Sequence, residues 1–287
     1  MTTLVGALLE EGRQRLLGKT DQPSQEAQIL LSHSSGLTHA QIIANPDHSL
    51  SEKSTADFTG LIDRRVNGEP IAYLCGAREF WSLKLTVSKD VLIPRPETEL
   101  LVERTLIRMA LWESPVVADL GTGSGAVALA LAKESPPTRI IATDRSDDAL
   151  GIARQNSQQL GINNVEFYCG RWFDALGPKL KSRINIIASN PPYVMEGDPH
   201  LLQGDLPWEP RQALISGRDG LAAFGTIISE APRWLTPSGW LLLEHGPAQQ
   251  DHVRVLMEEA GFLEITGHSD LAGLPRVTEG QLPPPCG

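Results

Sequence analysis

Basic residues are the scarce charged class in this 287-residue chain: 25 Lys and Arg stand against 35 Asp and Glu, a formal net charge of −10. A protein that grips a nucleic-acid backbone draws much of its affinity from neutralising phosphates and shows a basic stripe. No such stripe is present. The nearest approach is Arg64-Arg65, in a helical stretch, which reads as a solvated helix face. Direct nucleic-acid binding is therefore not expected. Cysteine is scarcer still: Cys75, Cys169 and Cys286 share no metal-ligand spacing and are odd in number. Neither a metal site nor a disulfide framework is expected, and small thiols in a reducing compartment are. Long apolar runs are also missing. Nothing approaches the ~20 residues of a membrane span, and no basic-flanked apolar segment opens the chain as a signal peptide would. These absences point to a cytoplasmic protein with no membrane partner, expected to be a monomer. Internal repeats and low-complexity segments are absent too.

What is present is ordinary for a globular protein: 41% hydrophobic and 21% charged residues, at a length that accommodates a catalytic domain plus a small extra one. Residues 1–70 read as helices only. Leu4, Val5, Leu8, Leu9, Leu16 and Leu17 recur near helical spacing, and Pro23 opens a second helix that stops near Gly36. Thr38 and Ser51 sit where N-caps belong, and the last helix, with Phe58, Leu61, Ile62 and Val66, ends at Asn67-Gly68. Residues 71–96 change character. Phe80–Val87 alternates and is rich in β formers, Ser88–Asp90 breaks it, and Val91–Ile93 follows before Pro94 and Pro96, a pattern read as a β-hairpin connector. Residues 97–287 begin with a helix to about Trp112 and then alternate strand and helix. The strands are read at Val116–Leu120, Arg139–Thr143, Val165–Tyr168, Asn185–Ser189, Trp240–Glu244 and Leu263–Thr266. Short apolar strands with helices between them imply a mostly parallel, doubly wound α/β sheet.

Two motifs carry chemistry. Gly121-Thr122-Gly123-Ser124-Gly125 follows the first apolar strand and opens an Ala/Leu-rich helix. Such a loop lies where doubly wound sheets bind ligands. Its spacing is Gly-x-Gly-x-Gly rather than the dinucleotide Gly-x-Gly-x-x-Gly, which suits an amino acid–nucleoside ligand better than a pyrophosphate. Asp144 ends the second strand, where a carboxylate can accept from both ribose hydroxyls; NAD enzymes use the same acid, and a helix cap is the plainer role, which Ser146 could fill instead. Trp172, after the third strand, stacks on adenine or packs in the core, with position favouring neither.

The second motif, Asn190-Pro191-Pro192-Tyr193, ends the fourth strand. Consecutive prolines forbid continuing the ladder and fix the exit of the chain. The Asn190 side chain and the Pro191 backbone each offer a carbonyl acceptor. Together they could hold the two hydrogens of a planar NH2 group and favour its pyramidal, nucleophilic form, with Tyr193 stacked on the flat face. That is catalysis by positioning and electrostatics, without a strong base. A methyl transfer to an amide or exocyclic nitrogen is the reaction that fits. These residues alone serve adenine N6 or guanine N2 in a nucleic acid as well as an amide. A nucleic-acid enzyme would also need a basic groove and a way to flip the base.

The chain resembles the HemK/PrmC family of peptide-chain release factor glutamine methyltransferases over nearly its whole length. The resemblance rests on Gly68–Leu74, Arg78–Trp81, Leu92-Ile93-Pro94-Arg95-Pro96-Glu97-Thr98-Glu99, the glycine loop, Asn190–Tyr193 and Leu242-Leu243-Glu244-His245-Gly246. The Pro94–Glu99 segment is the most specific of these. The resemblance implies a class I methyltransferase domain with a seven-stranded sheet at 97–287, a helical substrate-recognition domain at 1–70 and a hairpin linker at 71–96. It implies S-adenosylmethionine as cofactor and S-adenosylhomocysteine as product. Release factors, methylated on the glutamine of Gly-Gly-Gln, are the implied partners. Gly121 to Gly125 would wrap the methionine end, Asp144 would bind the ribose and Trp172 would lie by the adenine. Asn190 would touch both ligands, and Pro191, Pro192 and Tyr193 would complete the substrate pocket. Arg171 stands where many members carry an acidic residue, so the carboxylate expected beside the adenine amine is missing.

Overall fold

The computed structural model describes residues 3–284, so Cys286, read above as a free thiol, lies outside the described residues. The chain divides into two units, one of the residues up to Ala77 with Leu202–Trp208, the other of Arg78–Leu201 with Glu209 onward. In the first unit the helices run Val5–Leu16, Pro23–Ser35, His39–Ala44, Glu52–Val66 and Ile71–Cys75. Thr38 caps its helix reciprocally: its hydroxyl accepts the Gln41 amide at 3.3 Å while the Gln41 side chain accepts the Thr38 amide at 2.9 Å. The Ser51 hydroxyl accepts from the Ser54 amide at 3.1 Å. The apolar stripes meet in one core around Leu8, Leu16, Leu30, Leu31, Phe58 and Ile62.

Two readings of this region need correction. It is not purely helical, because Thr3–Leu4 pairs antiparallel with Ser49–Leu50, strands too short for periodicity to reveal. Nor is Arg65 solvated. Its side chain is 12% exposed, its fork donates to both Glu26 oxygens at 2.8 and 3.0 Å, and a further nitrogen reaches Asp205 at 3.3 Å. Arg64 alone fits the solvated reading, paired with Glu69 near the surface.

The second unit is built on seven strands: β1 Val116–Leu120, β2 Arg139–Asp144, β3 Val165–Cys169, β4 Ile184–Ser189, β5 Leu235–Glu244, β6 Leu263–Ser269 and β7 Pro275–Gln281. Their order across the sheet is β6-β7-β5-β4-β1-β2-β3. Strands β1 to β5 run parallel, whereas β7 pairs antiparallel with β5 and β6 with β7. The main helices are α1 Glu99–Met109, α2 Ala126–Glu134, α3 Asp147–Leu160, α4 Ala222–Glu230 and α5 Gln250–Glu259.

Alternation along the buried strands sends neighbours to opposite faces. Val117, Ile140, Ile186 and Leu242 join a core with α1 and α2. Ala118, Ile141, Ile187, Leu241 and Leu243 join another with α4 and α5. Both faces being covered explains why these strands read as continuous apolar runs. Strand β7 escaped the pattern reading because Pro275-Arg276 and Glu279-Gly280 dilute its apolar content. The hairpin forms earlier than expected: Ala77–Phe80 pairs with Leu83–Thr86, and Val91–Ile93 is not a strand. Trp81 and Ser82 make the turn with φ of 50° and 55°. That conformation is rare outside glycine, asparagine and aspartate, so nothing in the residue types announces the turn.

Candidate functional site

The sheet order places the carboxyl ends of β1 and β4 side by side, with β2 flanking β1 on the other side. The chain reverses direction from this centre, which is where open α/β sheets bind ligands. A cleft of about 1050 Å³, its open mouth included, lies there, and Gly121, Gly123, Asp144, Trp172, Asn190 and Pro192 are among its lining residues. An adjoining recess is lined by Thr122, Ser124, Arg95, Thr98, Asp119 and Asn190.

The glycine loop is shaped from within. Gly121 and Thr122 both donate to the Thr143 carbonyl, at 2.8 and 2.9 Å, and Gly125 donates to Thr122 at 2.9 Å. The Gly123 amide donates to Asp144 Oδ2 at 2.9 Å. Four amides that could otherwise cradle a phosphate are therefore spent inside the protein, and a pyrophosphate would find little to bind. The bare Gly121 backbone and the Asp144 carboxylate remain at the cleft surface, and they fit an amino acid–nucleoside ligand. Gly121 has φ of 77°, and a Cβ there would meet Trp172 Cζ3 at 3.1 Å, so only glycine lets the indole lie over the loop. Gly125 faces neither the cleft nor the recess. It opens α2 with φ of 85°, and a Cβ there would meet Leu129 at 3.0 Å.

Asp119 sits beneath the loop. It is 1% exposed, and its Oδ2 accepts from the Thr122 hydroxyl at 2.6 Å and the Ala128 amide at 3.1 Å. Burial outweighs these bonds and pushes its carboxyl up to about 6. Asn156, fully buried on α3, donates to the carbonyls of Ser124 at 2.9 Å and Thr86 at 3.0 Å, and accepts the Thr86 amide at 2.7 Å. It thereby ties the hairpin to the loop. Sequence reasoning passed over both residues. A lone acid inside an apolar strand was the available signal for Asp119; a polar residue mid-helix gives none.

Asp144 accepts the Ser146 amide on Oδ1 at 2.9 Å as well as Gly123 on Oδ2. The cap of α3 belongs to Ser146, whose hydroxyl accepts from the Ala149 amide at 3.2 Å. Asp144 is thus a loop brace with spare lone pairs at the cleft. Trp172 packs against the core with α4 and α5 and also lines the cleft. Its φ of 48° is strained for a bulky residue, and its buried Nε1 has no hydrogen-bond partner among the described residues.

Asn190 lines both the cleft and the recess. The exit of β4 is pinned to β1 by the Ser189 hydroxyl, which donates to the Leu120 carbonyl at 2.6 Å. The Asn190 Nδ2 donates to Thr98 Oγ1 at 3.1 Å; its Oδ1 and the Pro191 carbonyl accept no hydrogen bond among the described residues. Pro191 is buried and Tyr193 half-buried, packed on the core with α4 and α5, and neither lines the cleft. The Tyr193 carbonyl is held by Gln249 Nε2 at 3.0 Å. Burial, and then the Glu244 charge, push its phenol above the usual range.

The Pro94–Glu99 segment is strapped to the loop after β4. Glu209, 3% exposed, accepts the Ile93 amide at 3.1 Å and Arg95 Nη2 at 2.5 Å. Glu244, 1% exposed, ends β5 and has Thr98 and Asn190 as hydrogen-bonding neighbours, while its Oε2 has no partner. Burial pushes its carboxyl up to about 7. His245 is fully buried, with its ring nitrogens 2.9 Å from the Gly246 carbonyl and 2.8 Å from the Thr278 hydroxyl. A carbonyl only accepts, so Nδ1 carries the proton and Nε2 accepts. Burial holds this imidazole below its ordinary value. Among the described residues, no helix is long and apolar enough to cross a membrane, and no cluster of His, Cys, Asp and Glu could hold a metal ion.

Known proteins match this architecture in both parts. Residues 7–76 match the PrmC N-terminal domain and residues 113–268 a methyltransferase domain. A release factor glutamine methyltransferase of Xylella fastidiosa is 46% identical over 258 residues, covering 90% of this chain and 93% of its own length. One of Aliivibrio fischeri is 41% identical and covers 98% of both chains. A methyltransferase of Pyrococcus furiosus, at 16% identity and a TM-score of 0.51, covers 78% of this chain and 99% of its own, and shares the fold.

Proposed function

The chain belongs to the release factor glutamine methyltransferase family, and from that premise we propose that it moves a methyl group from S-adenosylmethionine to the side-chain nitrogen of the glutamine in a release factor's Gly-Gly-Gln motif. The observation that carries this reading is the pair of unused acceptors at the exit of β4, Asn190 Oδ1 and the Pro191 carbonyl, beside a glycine loop four of whose amides are already spent.

When bound, S-adenosylmethionine supplies an electrophilic methyl group. Gly121 to Ser124 offer bare backbone to its amino-acid end. Asp144, held by two backbone amides, accepts from the ribose hydroxyls, and Trp172 walls the adenine side. Asn190 Oδ1 accepts one hydrogen of the glutamine NH2, and the Pro191 carbonyl, on the backbone between the cleft-lining Asn190 and Pro192, accepts the other, which fixes the plane of the amide and turns its nitrogen toward the methyl. As the bond forms, the nitrogen pyramidalises and its N–H groups grow more acidic, so the two acceptors bind the transition state more strongly than the ground state. The surplus proton leaves to water afterwards, so no strong base is needed. Pro192 and Tyr193 keep the loop in shape; Tyr193, with a raised phenol, stays neutral. The helical unit gives the release factor a gripping surface. A substrate that works in translation sets the reaction in the cytoplasm.

Mass spectrometry of the tryptic Gly-Gly-Gln peptide after incubation with the purified protein tests the reading. One added methyl on the glutamine is expected. Unmodified glutamine alongside methylated DNA would overturn it in favour of a nucleic-acid amino methyltransferase.

A further inference from the structure

The Asn190 carboxamide can present either its oxygen or its nitrogen to a ligand, and the two ends differ little in shape. Only the oxygen can accept from a substrate NH2. Something must therefore choose the rotamer. We propose that Glu244, acting through Thr98, is the positioning residue that turns the Asn190 oxygen toward the substrate and its nitrogen into the protein. The proposal deepens the glutamine methyltransferase reading and rests on it.

The strands bring the groups together. Ser189 of β4 lies opposite Leu243 of β5, so the next residues, Asn190 and Glu244, leave adjacent strands side by side. Thr98 arrives from the Pro94–Glu99 segment and is 4% exposed. Its hydroxyl oxygen accepts from Asn190 Nδ2 at 3.1 Å. A hydroxyl has a single hydrogen; with its oxygen accepting from Asn190, that hydrogen is free to turn to the Glu244 carboxyl, which Thr98 and Asn190 both favour in its charged form. The relay runs from the Asn190 NH2 to the Glu244 carboxyl through the Thr98 OH, and Asn190 also favours that carboxylate directly. Once Glu244 has lost its proton, above about pH 7, its carboxylate only accepts, and the relay has one permitted direction. Were its end a donor, Thr98 could turn its hydrogen to the Asn190 oxygen. The carboxamide would then show NH2 to the cleft, facing the substrate's own NH2.

A purely architectural role explains Glu244 poorly. A buried carboxyl with an unpartnered oxygen costs stability, and Glu244 Oε2 is such an atom. A leucine-like residue would pack this strand end more favourably. The relay also gives the Pro94–Glu99 segment a function: with Arg95 strapped to Glu209, the segment delivers Thr98 to Asn190.

The test uses the full-length protein, a release factor carrying Gly-Gly-Gln and S-adenosylmethionine, comparing wild type with Glu244→Gln, Thr98→Val and Thr98→Ser. Wild type is expected to methylate the glutamine. Glu244→Gln and Thr98→Val are expected to lose ~10-fold or more in kcat, as misorientation of a positioning group does. Their S-adenosylmethionine Kd should stay within twofold, and above pH 7, where the Glu244 carboxyl is ionised, Glu244→Gln should melt no lower than wild type because a buried charge is gone. Thr98→Ser keeps the hydroxyl and should restore most of kcat. A kcat within twofold of wild type in both Glu244→Gln and Thr98→Val overturns the proposal. So does a loss that tracks a falling Tm, or a Thr98→Ser enzyme as slow as Thr98→Val. A wild-type protein that leaves glutamine unmodified is a different failure, and it removes the glutamine reading and the relay together.

Discussion

Two glutamates are buried in neighbouring strands of one sheet and meet opposite fates. Glu279 on β7 lies opposite Leu242 of β5, two rungs from the Val277–Glu244 pair. It is fully buried, yet Arg104, Arg108 and His268 reach its Oε1 at 2.8, 2.7 and 2.8 Å. Burial alone would raise its carboxyl, but bonds from His268, Arg108 and Arg104 outweigh it and hold the group down at about 2. Among the described residues no cation forms a salt bridge with Glu244, and burial lifts it to about 7 against the weaker opposing pull of Thr98 and of the Arg276 charge. A sheet that only had to fold would treat both like Glu279, because buried charge is tolerable when paired and expensive when not. The contrast locates function: the Glu279 carboxyl is held by three cations where the sheet is structural, and the Glu244 carboxyl keeps an unpartnered oxygen beside Asn190.

The largest effect should come from breaking the saturated side. Glu279→Ala strands two arginines and a histidine around an empty carboxylate site. Losing one member of a buried charge cluster costs about 3 kcal/mol, or about 6–12 °C in Tm for a domain of this size. Calorimetry should show that loss, while kcat per folded molecule stays near wild type. A slow but stable Glu279→Ala enzyme would put catalysis on the wrong glutamate.

The converse should hold at the cleft. Asn190→Ala removes an acceptor made for the transition state, and ~10²-fold in kcat is the expected loss. The Kd for S-adenosylmethionine and the Tm should move little, because Asn190 is a half-buried polar residue whose side chain is engaged by Thr98 and Glu244 alone among the described residues. Equal losses in kcat and in cofactor affinity, read by single-turnover kinetics and calorimetric titration, would make Asn190 chiefly a cofactor ligand.

This division was only partly visible in the sequence, for physical reasons. The parallel strands were legible because burial on both faces writes a continuous apolar run, and the glycine loop because only glycine tolerates its φ values. Asn190 stood out through the prolines beside it. Its partners did not, since Thr98 lies 92 positions away in the chain and hydrogen bonds between distant residues leave no period. Glu244 was quoted in a motif without a role, although an acid closing an apolar strand is the same signal that gave Asp144. Strand β7 and the true hairpin turn were hidden by residues that contradict their own conformations, Pro275 in a strand and Trp81-Ser82 at positive φ. Arg65 was misjudged because its partner Glu26 sits on another helix.

The two glutamates also predict opposite pH dependences. Glu244 has a folded value near 7, above its ordinary 4.5. The native state therefore holds its proton more tightly than the unfolded chain, and the stability this gives is complete below about pH 4.5 and lost as pH rises through 7. Glu279 is depressed from 4.5 to about 2. Its contribution is present above about pH 4.5 and is lost as pH falls toward 2. Denaturant melts of wild type and Glu244→Gln should diverge between pH 5 and pH 7, with the variant gaining on wild type as pH rises. A pH-independent difference between the two would mean that Glu244 is already charged in the folded protein at pH 5.

Asp144 falls between the extremes, which makes it the finest probe of the contrast. Both its oxygens hold backbone amides, as in a structural group, yet it lines the cleft. Its neighbour Ser146 caps α3 and does not need the ligand. Asp144→Ala should raise the S-adenosylmethionine Kd on the order of 10-fold, the value of one or two hydrogen bonds to a charged acceptor. Ser146→Ala should cost about 1 kcal/mol through the lost cap and leave the Kd alone. Titration calorimetry and melting curves on the pair separate the roles. If Asp144→Ala lowers Tm as Ser146→Ala does but keeps its Kd, the carboxylate is a loop brace only. The unsatisfied side of the sheet would then shrink to Asn190 and Glu244.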